Sequence, residues 1–277
     1  MEHKIVFIDV DGTLISYKKY LPDSAIMAIK TARNHGHKIV LCTGRSAVQI
    51  IPEIFNIGFD GYILGNGAYI AYQKKLIKHT PIPENVCDDI KKYFLEKDIA
   101  YYLETNDGLF LSDNFEEKGN MAFKKYARFL GNKDYMNVTC YDTLIGITSK
   151  PFNEHKVNRI SYVLDSKRTY EDTMEAFPML NHGVWGGANI NPIFGYLCMK
   201  NISKGDGIKE ILDVCDISVY DSISIGDSNI DISMFNNTNY SVCMGNGSDD
   251  AKRLANYVTD DLDNDGLYKA FRYLDLI

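Results

Sequence analysis

Two aspartates, Asp9 and Asp11, follow directly on the apolar run Ile5–Ile8 in the stretch KIVFIDVDGTL. Side chains two apart on an extended chain project the same way. Two carboxylates at the end of a buried strand repel each other, so a cation or a shared proton belongs between them. Gly12 permits a tight turn after them, and Thr13 brings a hydroxyl to that loop. Three further pieces stand at the carboxyl ends of predicted strands. Thr43, Gly44 and Arg45 follow KIVLC, where a hydroxyl and free backbone N–H groups at a strand-to-helix turn cradle an oxyanion. Lys204, between Ser203 and Gly205 at a predicted helix start, is a cation suited to a phosphate. In IGDSNID, Asp227 ends an apolar strand and Asp231 follows four residues later. This acid-rich set suits a hard divalent cation with oxygen ligands. With a hydroxyl and a lysine beside it, the inventory suits phosphoryl transfer through a carboxylate nucleophile.

The elements that must carry these residues alternate. KIVFI, KIVLCT (38–43) and GYILGN (61–66) read as strands. LPDSAIMAIKTARNHG reads as a helix, with Pro22 and Asp23 or Ser24 as start signals, helical spacing of Ile26, Ile29 and Ala32, and Gly36 as the stop. The end of the chain repeats the rhythm: KGDGIKEILDVC is helix-like, SISIGD (222–227) and YSVCMG are strands, and SMF begins a short helix. Strands separated by helices imply parallel pairing with right-handed crossovers, an α/β doubly wound sheet in two separated pieces. The middle differs. PENVCDDIKKYFLEKD predicts a helix, IAYYLE and DGLFLS a hairpin around Asn106–Gly108, and 115–129 another helix. KVNRISYVLD reads as a strand, RTYEDTMEAF as a helix, and NPIFGYLCMK contains a last strand. The expected organisation is a core of residues 1–82 and 201–277 with an inserted α+β domain of 83–200.

Composition sets limits on function. A chain of 277 residues with 45% hydrophobic and 24% charged residues is that of a soluble globular protein. A net charge of −7 argues against a nucleic-acid surface, which needs clustered Lys and Arg. No apolar run reaches the ~18 residues of a membrane span, and the chain does not open like a signal peptide. Six cysteines without a CxxC pair read as reduced thiols, so the expected location is cytoplasmic.

DVDGTL, TGR, SKG and GDSNID, in this order, resemble the four motifs of the haloacid dehalogenase superfamily of phosphatases. The insertion between TGR and SKG resembles the cap of its Cof-type sugar-phosphate phosphatase branch. LGNGAYI, CMGNGSDDAKRLANYVT and DNDGLYKAF match that branch as well. The resemblance implies a Rossmann-like core with a cap, acting on a small phosphorylated metabolite with Mg²⁺ as cofactor, as a monomer or weak homo-oligomer. It makes Asp9 the nucleophile that becomes an aspartyl-phosphate, and Asp11 the acid that protonates the leaving oxygen and then activates water. It assigns the phosphoryl group to Thr43, the Gly44 amide and Lys204, with Val10 and Asn229 beside them. It gives the metal to Asp9, Asp227 and the main-chain carbonyl of Asp11, with Asp231, Thr13 and Arg45 in support. For Arg45 a structural salt bridge is an equal reading. The cap would close to exclude water and select the leaving group. A phosphotransferase or mutase of the same chemistry is the alternative, and a non-catalytic phosphometabolite sensor is another.

One position departs from the pattern. Where the family has Gly-Asp-x-x-Asn-Asp, this chain has Ile230 in the asparagine's place, with Asn229 one residue early. Either Asn229 takes over the phosphate contact or Ile230 packs under the loop. Three other stretches read as structural. DLDNDG at Asp261–Gly266 mimics the opening of a calcium loop, but its twelfth position is Arg272. His35 and His37 stand at a helix end. The aromatics at Tyr101–Tyr102 and Trp185–Gly187 suit a core better than a ligand surface.

Overall fold

The structure, a computed structural model, describes residues 3–17, 19–152, 156–186 and 192–277. The chain divides into two compact units. The first comprises Met1–Arg45, Pro52–His79 and Ile202–Ile277, and the second Ser46–Ile51 and Thr80–Asn201. The insertion anticipated over 83–200 thus begins at Thr80, ends at Asn201, and takes the short stretch Ser46–Ile51 with it.

In the first unit the chain runs β1 (Ile5–Ile8), α1 (Asp23–Asn34), β2 (Lys38–Cys42), α2 (Pro52–Phe55), β3 (Gly61–Leu64), β4 (Tyr69–Tyr72) and β5 (Lys75–His79). The second unit contributes α3 (Glu84–Glu96), β6 (Tyr101–Thr105), β7 (Leu109–Leu111), α4 (Phe115–Phe129), α5 (Cys140–Thr143), β8 (Val157–Val163), α6 (Lys167–Ala176), β9 (Leu180–Trp185) and β10 (Phe194–Met199). The first unit resumes with α7 (Lys204–Cys215), β11 (Ser222–Gly226), α8 (Ile232–Phe235), β12 (Tyr240–Cys243), α9 (Asp249–Leu254), β13 (Tyr257–Val258) and α10 (Gly266–Tyr273).

The first unit's sheet has the order β13-β12-β11-β1-β2-β3-β4-β5. The six strands from β13 to β3 are parallel. β1 and β11 are buried at every position, as strands covered on both faces must be. Ile5 and Phe7 pack with Val40, Cys42 and Ile63 against Ile208, Ile211 and Leu212 of α7. α1 buries Ala25, Ala28, Ile29 and Ala32, and it packs beside α10. The strand order reverses between β1 and β11: β2 and β3 lie to one side, β12 and β13 to the other. Open α/β sheets bind ligands outside the carboxyl ends of strands at such a reversal. Asp9 and Asp227 follow directly on those two strands. The hairpin β4–β5 was not anticipated. Its two turn residues, Gln73 and Lys74, both have positive φ (46° and 65°), the twist a two-residue hairpin needs, without the Asn or Gly that usually announces it.

The second unit is an antiparallel sheet of order β7-β6-β8-β10-β9. Strand alternation sends Leu103, Ile160 and Leu197 into one cluster with Ile90 and Phe94 of α3. It sends Tyr102 and Phe194 into another with Phe115 and Phe123 of α4. Tyr101 packs on Phe94, and Trp185 stacks on Phe194 at 4.2 Å, so these aromatics serve the core; Gly187 lies outside the described residues.

One polar cluster lies within this sheet. Glu104, fully buried, faces Arg159 on the paired strand. The guanidinium donates to both carboxylate oxygens at 2.8 Å, and the Ser161 hydroxyl donates to Glu104 at 2.5 Å. Removing one partner of such a pair strands a buried charge, which costs about 3–5 kcal/mol. Arg159→Ala should therefore lower the stability of this unit by that amount in urea unfolding. The double replacement Glu104→Leu/Arg159→Met should cost less than Arg159→Ala alone. An Arg159→Ala protein as stable as the wild type would contradict the assignment.

Candidate active site

The site starts from the turn after β1. The Asp9 amide donates to the Ile225 carbonyl at 3.0 Å, so β1 stays paired with β11 up to the aspartate. The Val10 carbonyl then accepts from the Leu14 and Ile15 amides at 3.0 and 2.9 Å, closing a tight turn. Gly12 stands in that turn at φ 92°, and a Cβ there would lie 2.2 Å from Asp227 Oδ2. Only glycine lets the turn approach the carboxylate at the end of β11 so closely. Asn246 donates to the Gly12 carbonyl at 2.8 Å and accepts from the Leu262 amide, tying three loops together.

Lys204 is the first residue of α7, behind the N-cap Ser203, whose hydroxyl accepts from the Asp206 amide. Its side chain is 3% exposed, and its ammonium donates to Asp9 Oδ1 at 2.5 Å and to Asp231 Oδ1 at 2.6 Å. The other oxygen of Asp231 accepts three donors: the amides of Asp227 and Ser228 at 3.1 and 2.9 Å, and the Ser228 hydroxyl at 2.8 Å. Asp227 accepts from the Thr13 hydroxyl and from the Tyr17 hydroxyl, each at 3.2 Å and each on a different oxygen. Asp11 is drawn aside: Arg45 grips its carboxylate with two hydrogen bonds of 2.8 and 2.6 Å. Thr43 is buried at the end of β2, beside the β1 turn, and its hydroxyl accepts from the Arg45 amide at 3.2 Å.

The residues singled out in the sequence are not all in one place. Asp9, Asp227 and Asp231 each offer a carboxylate oxygen within 4.8 Å of the others, the one such group among the described residues. The side chain of Asp11 is not in it. Asp231 is saturated by Lys204 and its own loop, which leaves Asp9 and Asp227 as the carboxylates free to face a cation. Lys204 is shared between Asp9 and Asp231, and no described lysine or arginine pairs with Asp227. An all-oxygen, buried donor set of this kind fits a hard divalent metal. The side-chain oxygen of Asn229 accepts from the Ser248 hydroxyl at 2.6 Å, and the Ser248 amide donates to the Asp227 carbonyl at 2.8 Å. Ile230 is 42% exposed and so does not pack under the loop. Tyr17 was not foreseen, because a tyrosine six residues beyond Asp11 has no pattern of its own. The signal, visible only in three dimensions, is its hydroxyl on Asp227.

A family model described as haloacid dehalogenase-like hydrolase matches residues 6–271. The chain is 28% identical over 281 residues to the phosphoglycolate phosphatase of Picrophilus torridus, covering 99% of this chain and 92% of that protein. It is 23% identical over 277 residues to the 5-amino-6-(5-phospho-D-ribitylamino)uracil phosphatase YwtE of Bacillus subtilis, covering 95% of each. Among solved structures, the phosphatase BT1666 from Bacteroides thetaiotaomicron aligns with a TM-score of 0.77 at 26% identity, over 99% of this chain and 96% of that one. The subclass IIB sugar phosphatase BT4131 aligns with a TM-score of 0.75 at 25% identity, over 99% and 100%.

Burial and the like charges of Asp231, Asp227 and Asp11 hold the Asp9 carboxyl well above the usual range, although Lys204 opposes them. Lys204 keeps its proton: burial works against the charge, but Asp231 and Asp9 outweigh it. Burial, with Asp231 next, lifts Asp227 from 3.8 to about 7. Burial beside these carboxylates also pushes the Tyr17 phenol up, so it remains a neutral donor. The Asp227 shift has a consequence for stability. The native state holds this proton more tightly than the unfolded chain, so above the unfolded value the fold is penalised for ionising a buried acid. The penalty grows from about pH 4 to about pH 7 and then levels off. In the presence of a chelator, Asp227→Asn should exceed the wild type in stability by on the order of 1–3 kcal/mol at about pH 8. The difference should vanish toward about pH 4. Urea unfolding at both values measures it, and an asparagine variant no more stable at the higher pH would contradict the charge arrangement.

Proposed function

The chain belongs to the haloacid dehalogenase-like hydrolases and is a phosphatase of that family, and we propose that it hydrolyses small phosphorylated metabolites with Mg²⁺ through an aspartyl-phosphate at Asp9. The observation that carries this reading is the buried Asp9 carboxylate, held by Lys204 on one oxygen and facing Asp227 across the reversal of the sheet. Bound Mg²⁺ would be held by Asp9 and Asp227 and would offset the charge of the phosphate oxygens.

In the first step Asp9 attacks phosphorus. The new bond joins its carboxylate oxygen to phosphorus, the ester P–O bond breaks, and Asp11 gives its proton to the departing alkoxide. In the second step Asp11 takes a proton from water, the water oxygen bonds to phosphorus, and the Asp9–phosphorus bond breaks to release inorganic phosphate. Lys204 and the Thr43–Gly44 turn hold the transferring group. Asp231 fixes Lys204, and Arg45 fixes the direction of Asp11. Selection of the leaving group is assigned to the inserted unit. The phosphoglycolate and ribityl phosphate relatives support a substrate of small-metabolite size, and the reading keeps the cytoplasmic location expected from the cysteines. No described helix is long and apolar enough to cross a membrane.

Hydrolysis of p-nitrophenyl phosphate with Mg²⁺ tests this directly. Activity should stop with excess EDTA and return with Mg²⁺. Asp9→Asn should abolish turnover while remaining folded, because an amide neither forms the acyl phosphate nor serves the cation. Wild-type rates in that variant, or in excess chelator, would overturn the proposal.

A further inference from the structure

Tyr17 joins an exposed ring to a buried contact. Its side chain lies on the surface, with the residue 51% exposed, yet its hydroxyl donates at 3.2 Å to Asp227, which is 4% exposed. The segment that carries it is fixed on both sides of the ring. The Ser16 amide donates to the Tyr20 carbonyl at 2.8 Å, the Tyr20 amide to the Ser16 hydroxyl at 3.0 Å, and the Lys19 amide to the Ser16 carbonyl at 2.8 Å. Upstream, the Gly12 turn brings Thr13 onto the other oxygen of the same carboxylate at 3.2 Å. One loop therefore places two hydroxyl donors on Asp227, one per oxygen. Each carboxylate oxygen has a second lone pair. With Thr13 and Tyr17 each occupying one, the rotamer of Asp227 is set and the remaining lone pairs stay available for a cation shared with Asp9.

Resting on the metal reading above, we propose that Tyr17 is a positioning residue for the divalent cation: it holds the Asp227 carboxylate in its metal-accepting orientation and thereby sets the affinity for Mg²⁺. Hydrogen-bond partners behind metal ligands contribute about 10–100-fold to metal affinity. Thr13 remains in place without Tyr17, so the effect of losing the phenol lies at the lower end of that range. The residue is half exposed and Tyr17→Phe keeps the ring, so the fold is retained.

The test is a Mg²⁺ titration of metal-stripped wild type, Tyr17→Phe and Asp227→Asn, read as the rise in melting temperature. Tyr17→Phe should need about tenfold more Mg²⁺ for half of its rise. Its melting temperature in EDTA should match the wild type, and it should reach wild-type stability at saturating Mg²⁺. Asp227→Asn should show no rise. A half-saturation equal to the wild type's would overturn the inference, as would a lower melting temperature in EDTA with an unchanged half-saturation, which marks a structural role only. Tighter Mg²⁺ binding by Tyr17→Phe would overturn it too, because the phenol would then be competing with the cation. If the wild type itself shows no rise, the metal reading falls and this inference with it. A rise in the wild type with no difference in Tyr17→Phe removes only the inference.

Discussion

The buried ammonium of Lys204, shared between Asp9 and Asp231, is the contact on which the site depends. A buried ammonium is tolerated only when paired, and a buried carboxylate likewise. One lysine serves two acids here, and a third, Asp227, lies within reach of both. The shortage of positive charge is structural, because strand ends, a helix start and a capping loop impose it. Asp231 is held by the Ser228 turn, Lys204 by the first turn of α7, and Asp9 by its pairing to β11. Those bonds fix the backbone from which each of the three side chains starts. The site therefore keeps room for positive charge where Asp9 and Asp227 face each other.

That constraint explains several features of the surrounding fold. Gly12 is small because the turn after β1 must lie against Asp227. A Cβ on Gly205 would come within 2.2 Å of the Ser233 carbonyl, so the start of α7 can press against α8 and bring Lys204 into the cluster. Arg45 removes the side chain of Asp11 from the crowd of acids and leaves it at the edge, half exposed. The acid proposed to move protons is thereby kept apart from the acid proposed to bond phosphorus, although they are two residues apart in sequence.

Much of this was legible in the chain. KIVFI and KIVLC carry continuous apolar runs, the signature of strands buried on both faces, while SISIG alternates Ser and Ile; Asp9 and Asp227 sit where two of these strands end. The helix of KGDGIKEILDVC showed its start through Ser203 and its buried face through Ile208, Ile211 and Leu212. What stayed hidden lacked a local signal. The β4–β5 turn uses Gln73 and Lys74 in place of turn formers, and β9 mixes polar residues and glycine with its apolar ones. The grip of Arg45 on Asp11 and the reach of Tyr17 to Asp227 are made by side chains whose direction no spacing rule fixes. Ile230 was ambiguous in sequence for a related reason: a departure from a motif does not say whether the new residue is packed or exposed, and here it is exposed.

The central claim is that the Asp9 carboxylate, among all the acids gathered here, is the one that bonds to phosphorus. Quenching the enzyme in acid during turnover of p-nitrophenyl phosphate with Mg²⁺, reducing the acyl phosphate with borohydride and sequencing the peptides by mass spectrometry tests this most directly. The account predicts homoserine at position 9 and unmodified aspartate at 11, 227 and 231. Reduction at another aspartate, or none anywhere while turnover proceeds, would contradict it.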